Sequence, residues 1–231
     1  MPELPEVDLM VSRLQKQVGK RINEIQISRG KYLRETPRGP IPLVSGQWIN
    51  EIHRRGKFII FHLTHGTLVC HNAMSGFWDT EDEPWTFDYV EGKRQATPRD
   101  VRVQMHLGTH YTWSGVENRT NLRFHDARLF GSLRYYDTLD ISKIPSLKDL
   151  GPEAITTEHS YLGAMKWNIL DLVTVVVSNE RPIKDILMNQ KNVAGIGNIY
   201  ATEALFRAGI NPSRVMGMKR VTARTTGLSS G

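Results

Sequence analysis

Pro2 stands directly behind the initiator methionine, Glu3 follows it at once, and Glu6 lies one helical turn further on. A small second residue permits removal of Met1, which is expected to leave Pro2 as a free secondary amine. An α-amino group titrates near ~8 against ~10.4 for lysine, so roughly a tenth of it is neutral and nucleophilic at pH 7. A helix beginning just behind the amine disfavours its protonated form further, through the positive end of the helix dipole. Such an amine can form an iminium with a sugar aldehyde carbon, and Glu3 is near enough to serve as a general acid or base. The same Pro-Glu-Leu-Pro-Glu string also reads as no more than a capped helix start.

A second constellation runs from Gln190 to Asn198 between two helical patterns. Gly195 and Gly197 let the backbone approach another molecule closely, and Asn198 is a candidate N-cap whose helix N-terminus could receive a phosphate. Arg181, Lys184 and Lys191 surround the turn with positive charge. A dinucleotide fingerprint fails here, because Tyr200 occupies the place of its third glycine and no strand precedes the turn. A plain helical hairpin accounts for the same residues. His106 and His110 are four apart but lie in strand-and-turn sequence with no glutamate after the first, which excludes a zinc-binding helix of the zincin type.

These groups need elements to hold them. Leu4, Val7, Met10, Val11, Leu14 and Val18 recur at spacings of three and four, with Pro5 in the first turn and Gly19 after the last, and predict an amphipathic helix. Strand-like runs follow at Ile22–Ile27, Phe58–Leu63, Thr67–His71, Val101–Leu107, Tyr111–Trp113, Leu122–Phe124 and Leu133–Tyr136, punctuated by glycines. Asp79 to Asp100 reads as an exposed loop. Tyr161–Val177 reads as a largely buried helix, and Pro182–Gln190 and Asn198–Ala208 as two more. The expected organisation is α+β: residues 1–140 form an antiparallel β-sandwich or barrel with a leading helix, and 141–152 a linker. Residues 153–214 form a small all-helical domain, and 215–231 a basic unstructured tail.

Composition narrows the partners. The 231 residues are 39% apolar and 23% charged, which excludes disorder, and 30 Lys+Arg against 24 Asp+Glu give a net charge of +6, which suits a polyanion. The longest apolar stretch, Ile169–Val177, falls well short of the ~20 residues of a membrane span. The acidic N-terminus is not a signal peptide, so an intracellular protein without membrane partners is expected. Cys70 is the one cysteine; it excludes a disulfide framework or a four-thiolate zinc site and reads as a small buried hydrophobe.

Taken together, the motifs resemble the formamidopyrimidine-DNA glycosylase family. Met-Pro-Glu-Leu-Pro-Glu-Val matches its N-terminal signature, and Arg54-Arg55-Gly56-Lys57-Phe58 its lysine-bearing hairpin. His71-Asn72-Ala73-Met74-Ser75-Gly76 resembles its His-x-x-Met-Ser-Gly loop, and Asp126-Ala127-Arg128-Leu129-Phe130-Gly131 its Asp-x-Arg-x-Phe-Gly loop. Pro182 through Pro212 resembles its helix–two-turns–helix motif. The motifs run in family order from residue 2 to about 214.

The resemblance implies a bifunctional glycosylase and abasic-site lyase of base excision repair. Pro2 would attack C1′ of an oxidised purine nucleotide, and Glu3 would open the sugar ring. Lys57 would contact the adjacent phosphate and assist in proton transfer, with Glu6, Gly195 and Gly197 in support. Extruding the nucleotide costs a few kcal/mol, and the resemblance has Met74, Arg128 and Phe130 fill the space left behind. His71, Arg181, Lys184, Lys191 and Asn198 would hold the backbone of damaged double-stranded DNA, which gives position rather than sequence preference. Relatives continue into a zinc-bound hairpin with four cysteines; this sequence ends at Gly231, so no metal or cofactor is expected, and the protein is expected to act as a monomer on DNA. The rival readings are a non-catalytic nucleic-acid-binding protein on the same scaffold and an oxidised-pyrimidine glycosylase of the endonuclease VIII type. Leu4, where that branch usually has glycine, disfavours the latter.

Overall fold

The computed structural model describes residues 2–28, 41–84, 98–109, 119–164 and 168–215. The first helix, α1 (Leu4–Leu14), buries Leu4, Val7, Met10, Val11 and Leu14, the apolar stripe set by its period. A 3-10 turn over Gln15–Gln17 tightens its end, and Gly19 turns the chain away at φ +80°. Val18, counted with the stripe in the sequence, falls beyond that turn and is exposed.

Eight strands follow: β1 (Arg21–Ile27), β2 (Ile49–Arg55), β3 (Phe58–Leu63), β4 (Thr67–His71), β5 (Phe77–Thr80), β6 (Val101–Gly108), β7 (Thr120–His125) and β8 (Ser132–Tyr136). They form two antiparallel four-stranded sheets, ordered β1-β6-β7-β5 and β2-β3-β4-β8. Ile59, Phe61, Leu68 and Leu133 of one sheet meet Trp78, Val103, Met105, Leu122 and Phe124 of the other, and α1 closes the same core with Val7, Met10 and Val11. Cys70 is fully buried there; burial pushes its thiol up, and the Trp78 indole donates to its Sγ at 3.4 Å.

Sheet and sequence part company at β2 and β5. β2 has an irregular apolar pattern, because Arg54 and Arg55 are both buried within it. β5 is only four residues long and contains Asp79, expected in an exposed loop. Asp79 is buried instead, accepting from Arg123 and His125 of β7. Burial alone would raise its carboxyl; those two partners hold it below the usual range. Tyr111–Trp113 and the tail from 216 lie outside the described residues.

The segment read as a linker lays Ile141, Ile144 and Leu147 over Ile60, Val69 and Tyr136 on the outer face of the second sheet. Beyond it come α2 (Ile169–Val177), α3 (Ile183–Met188) and α4 (Asn198–Arg207), sharing a small core of Val176, Ile183, Ile186 and Leu205. The largely buried helix expected over Tyr161–Val177 is corrected on both counts. The described helix starts only where Asn168 Oδ1 accepts the Leu170 amide, and Ile169 and Leu170 are 77% and 66% exposed. Its apolar residues go nearly all the way round, but the described residues cover only the side bearing Val176.

The β-rich part and the helical part are joined through a buried ion cluster. Arg54 donates to Asp8 Oδ1 of α1 at 2.9 Å, to Ser160 Oγ at 2.7 Å, to the Ile155 carbonyl at 3.0 Å and to Glu153. Arg55 reaches Glu153 Oε1 at 2.7 Å and the carbonyls of Leu150 and Gly151. Glu153 also accepts the Gly56 amide at 2.7 Å, while its neighbours pair with the helical turn through Ala154 N–H to Ala194 O at 3.0 Å. Removing one member of such a cluster strands buried charge. Glu153→Ala is therefore expected to lower unfolding free energy by about 3–5 kcal/mol, read from urea denaturation; a loss below about 1 kcal/mol would show the cluster to be solvated.

Candidate active site

The N-terminal segment is threaded into the turn between α3 and α4. Leu4 N–H donates to Gly195 O at 3.1 Å. The buried Glu3 carboxylate then accepts three amides at the start of α4: Gly197 on Oε2 at 2.8 Å, Ile199 on Oε1 at 2.8 Å and Tyr200 on Oε2 at 3.3 Å. These are the unpaired amides that every helix start presents, so a carboxylate from elsewhere in the chain caps the helix. The contact depends on two glycines. A Cβ at Gly197 would stand 2.3 Å from Glu3 Cδ, and one at Gly195, which adopts φ +101°, 2.5 Å from Leu4 Cδ1. Gln190 shapes the turn itself, accepting Gly195 N–H at 2.9 Å and donating to Ile196 O at 2.7 Å.

Pro2, the residue before Glu3, is buried. Glu6 Oε2 accepts the Glu3 amide at 2.8 Å, and its Oε1 lies 3.5 Å from the Tyr200 hydroxyl. Burial and the charges of Glu6 and Glu3 push that phenol up. Gly56-Lys57 forms the two-residue turn between β2 and β3, with Gly56 at φ +56° and its Cβ position 3.3 Å from Ala194 Cβ. The hairpin tip is thereby pressed against the helical turn, which buries Lys57. Burial holds the Lys57 ammonium below its ordinary pKa, while Glu3 and Glu6 pull the other way, so the three belong to one electrostatic site. His71, at the end of β4, is held below the ordinary imidazole range by burial and then by the Lys57 cation.

Two loops leave the sheets next to His71. Asp126 ties them: its Oδ1 accepts from Ser75 Oγ at 2.6 Å and its Oδ2 from Gly131 N–H at 2.7 Å, while Ser75 Oγ accepts the Arg128 amide at 3.2 Å. Ala73 and Leu129 take left-handed backbone conformations, φ 49° and 60°. The result is a shared rim from which Met74, Arg128 and Phe130 stand out, Phe130 being 57% exposed. The Arg128 guanidinium lies 3.9 Å from Met74 Sδ.

Pro2, Glu3, Glu6, Lys57, Gly195 and Gly197 thus come together, with His71 and the Met74–Arg128–Phe130 rim adjoining. Arg181, Lys184, Lys191 and Asn198 stand on the helical part, Asn198 directly after the Gly197 that meets Glu3. Lys191 is exposed and pairs with Asp149 at 3.3 Å. Asn198 needs a correction: it is the first residue of α4, Gly197 occupies the capping position, and Glu3 fills the amide pocket expected to receive a phosphate. Sequence reading did not single out Glu153, Gln190 or Asp8. The adjacent arginines in a strand were the one signal that a buried acid had to exist. Among the described residues no group of three His, Cys, Asp or Glu could hold a metal ion.

A model of the formamidopyrimidine-DNA glycosylase N-terminal domain matches residues 1–133, and one of the H2TH domain of the same enzymes matches 151–224. The formamidopyrimidine-DNA glycosylases of Listeria innocua and Pelobacter propionicus are 34% and 35% identical over 216 residues, covering 93% of this chain and 69% and 70% of theirs. Among solved structures, the MutM (Fpg) protein of Thermus thermophilus superimposes with a TM-score of 0.67 at 32% identity, covering 93% of this chain and 67% of that one. The Lactococcus lactis Fpg in complex with abasic-site DNA gives 0.66 at 27% identity, covering 93% and 69%. The two domain matches agree with the two structural parts that meet at Glu3, and the chain belongs to the formamidopyrimidine-DNA glycosylase family.

Proposed function

We propose that this protein is a DNA glycosylase of base excision repair that also cleaves the strand at the abasic site, acting on oxidised purines through Pro2. The observation that carries the reading is the buried N-terminal segment, held by three backbone amides of α4 within electrostatic reach of a depressed lysine. A purely structural helix start needs neither.

With Met1 removed, the Pro2 nitrogen lone pair attacks C1′ of the extruded nucleotide. The bond from C1′ to the base breaks, and the base leaves with the bonding pair and takes up a proton. The Glu3 carboxylate takes the proton that the Pro2 nitrogen loses after attack and passes it to the ring oxygen as the sugar opens, leaving an iminium between Pro2 and C1′. Loss of a C2′ proton then expels the 3′ phosphate, and hydrolysis of the iminium releases the enzyme. Lys57 pairs with the phosphate beside the lesion and donates a proton in its ammonium form. Met74, Arg128 and Phe130 enter the vacated stack, the guanidinium offering donors to the orphaned base and the apolar side chains replacing the lost stacking. His71, Arg181, Lys184, Lys191 and Asn198 contact the DNA backbone, where each phosphate contact adds affinity that falls with salt.

Borohydride reduction is expected to link the protein covalently to duplexes carrying 8-oxoguanine or an abasic site. Pro2→Gly should weaken trapping severely, and Glu3→Gln should slow it by about 10²–10⁴-fold. Absence of a trapped species with folded, Met1-free protein on both substrates would leave a binding-only protein; equal trapping on thymine glycol would favour the oxidised-pyrimidine reading.

Two further outcomes follow from the geometry. Gly197→Ala drives a methyl group into the Glu3 carboxylate, so single-turnover trapping is expected to fall by about 100-fold, with circular dichroism confirming the fold; an undiminished rate would remove Glu3 from the mechanism. Because Lys57 donates as an ammonium and its pKa is depressed, the rate is lost as pH rises through that lowered value. The alkaline limb of the pH–rate profile should lie below the ordinary lysine value of 10.5 and move upward in Lys57→Arg. An unmoved limb would assign the titration to another group.

A further inference from the structure

On the outer face of the second sheet a pocket of about 230 Å³ is lined by Phe58, Val69, His71, Ser132, Arg134 and Ser146. Sheet register explains the set: Phe58 lies opposite His71, His71 opposite Ser132, and Val69 opposite Arg134. Residues opposed in this way point to one side of an antiparallel sheet, so three strands contribute to a single wall. Ser146 comes from the segment that folds over that face. Its Oγ is shut off from solvent and has no hydrogen-bond partner.

The chemistry of the lining is one-sided. It comprises a guanidinium, an imidazole and two hydroxyls, and no carboxylate. A guanidinium offers five donors in a fixed fork whose geometry matches a phosphate. A buried hydroxyl without a partner is costly, about 1–3 kcal/mol, and an anionic oxygen is the acceptor that would satisfy it.

Position is equally specific. Phe58 directly follows Lys57, and His71 feels the Lys57 cation. His71 opens the loop carrying Met74, and Ser132 closes the loop carrying Phe130, so the pocket sits at the roots of the rim. On the proposed reading, a strand whose damaged sugar lies at Pro2 and whose neighbouring phosphate lies at Lys57 has this wall beside it.

We propose that the pocket is a second backbone-phosphate site, in which Arg134, Ser132 and Ser146 take a phosphodiester next along the strand from the one at Lys57. The assignment rests on the reading of the protein as a DNA-acting glycosylase. The site supplies position and salt-sensitive affinity, and it fixes how far the strand on one side of the lesion can swing while the nucleotide is out.

The test is binding to a lesion duplex at several salt concentrations, with wild type, Arg134→Met, Arg134→Lys and Ser146→Ala. Neutralising one phosphate contact should reduce the slope of log affinity against log salt by about one, so Arg134→Met should show that reduction and Arg134→Lys should not. Ser146→Ala should bind several-fold more weakly yet melt at the same or a higher temperature, because the free protein loses an unsatisfied hydroxyl. A merely structural serine would lose stability and affinity together. Replacing backbone phosphates one at a time by uncharged methylphosphonate should reveal one position that weakens wild type and has no further effect on Arg134→Met. Parallel profiles at every position with an unchanged slope overturn the proposal. If wild type neither binds nor traps the lesion duplex, the glycosylase reading fails first; if it does both and the variants match it, only the second phosphate site fails.

Discussion

One carboxylate organises this molecule. Glu3 closes the amide terminus of α4 from almost two hundred residues away, and in doing so fixes the course of the N-terminal segment, how the helical part sits on the sandwich, and which groups surround Lys57. A helix start left open is a weak anion site; filled from within, it becomes a clamp. The two glycines at the clamp are there because their Cβ atoms would overlap Glu3 and Leu4. Terminal segments are ordinarily poorly ordered unless tied down, and here Glu3 and Leu4 tie this one to the helical turn. The proposed attacking amine would have to be presented at a fixed distance and angle, and this anchoring would serve that chemistry as well as stability.

The buried Arg54–Arg55–Glu153 cluster complements the clamp from the opposite side. Taking charges out of water is expensive, and a hydrophobic replacement of similar volume is often at least as stable. What the ions add is direction. Arg54 spans α1, the hairpin tip and the 153–160 segment at once, a reach that packed aliphatic chains do not have. The hairpin bearing Lys57 is therefore located by hydrogen bonds of defined length on both flanks, and the burial that depresses Lys57 is a consequence of that seating.

Much of this was legible in the sequence. The period of α1, the ends of β3 and β4, and the glycine turn before α4 were all set by local pattern, and the motifs around Pro2, Glu3 and Lys57 marked residues that the fold brings to one electrostatic site. What escaped was non-local. β2 and β5 contain buried charges whose partners lie far away in sequence, so alternation, the only strand signal, fails in both. Asn198 looked like a cap by residue type, yet a glycine with an imported carboxylate does that work. α2 looked buried because its residues are apolar, and hydrophobicity does not say what lies against each side.

The rim loops carry a consequence of their own. Ala73 and Leu129 sit in left-handed conformations that cost an alanine or leucine on the order of 1–2 kcal/mol each, and Asp126 and Ser75 hold them there. The penalty falls when the chain folds. In the proposed function the backbone of the rim is therefore already set in the free protein, and binding a duplex does not have to order it.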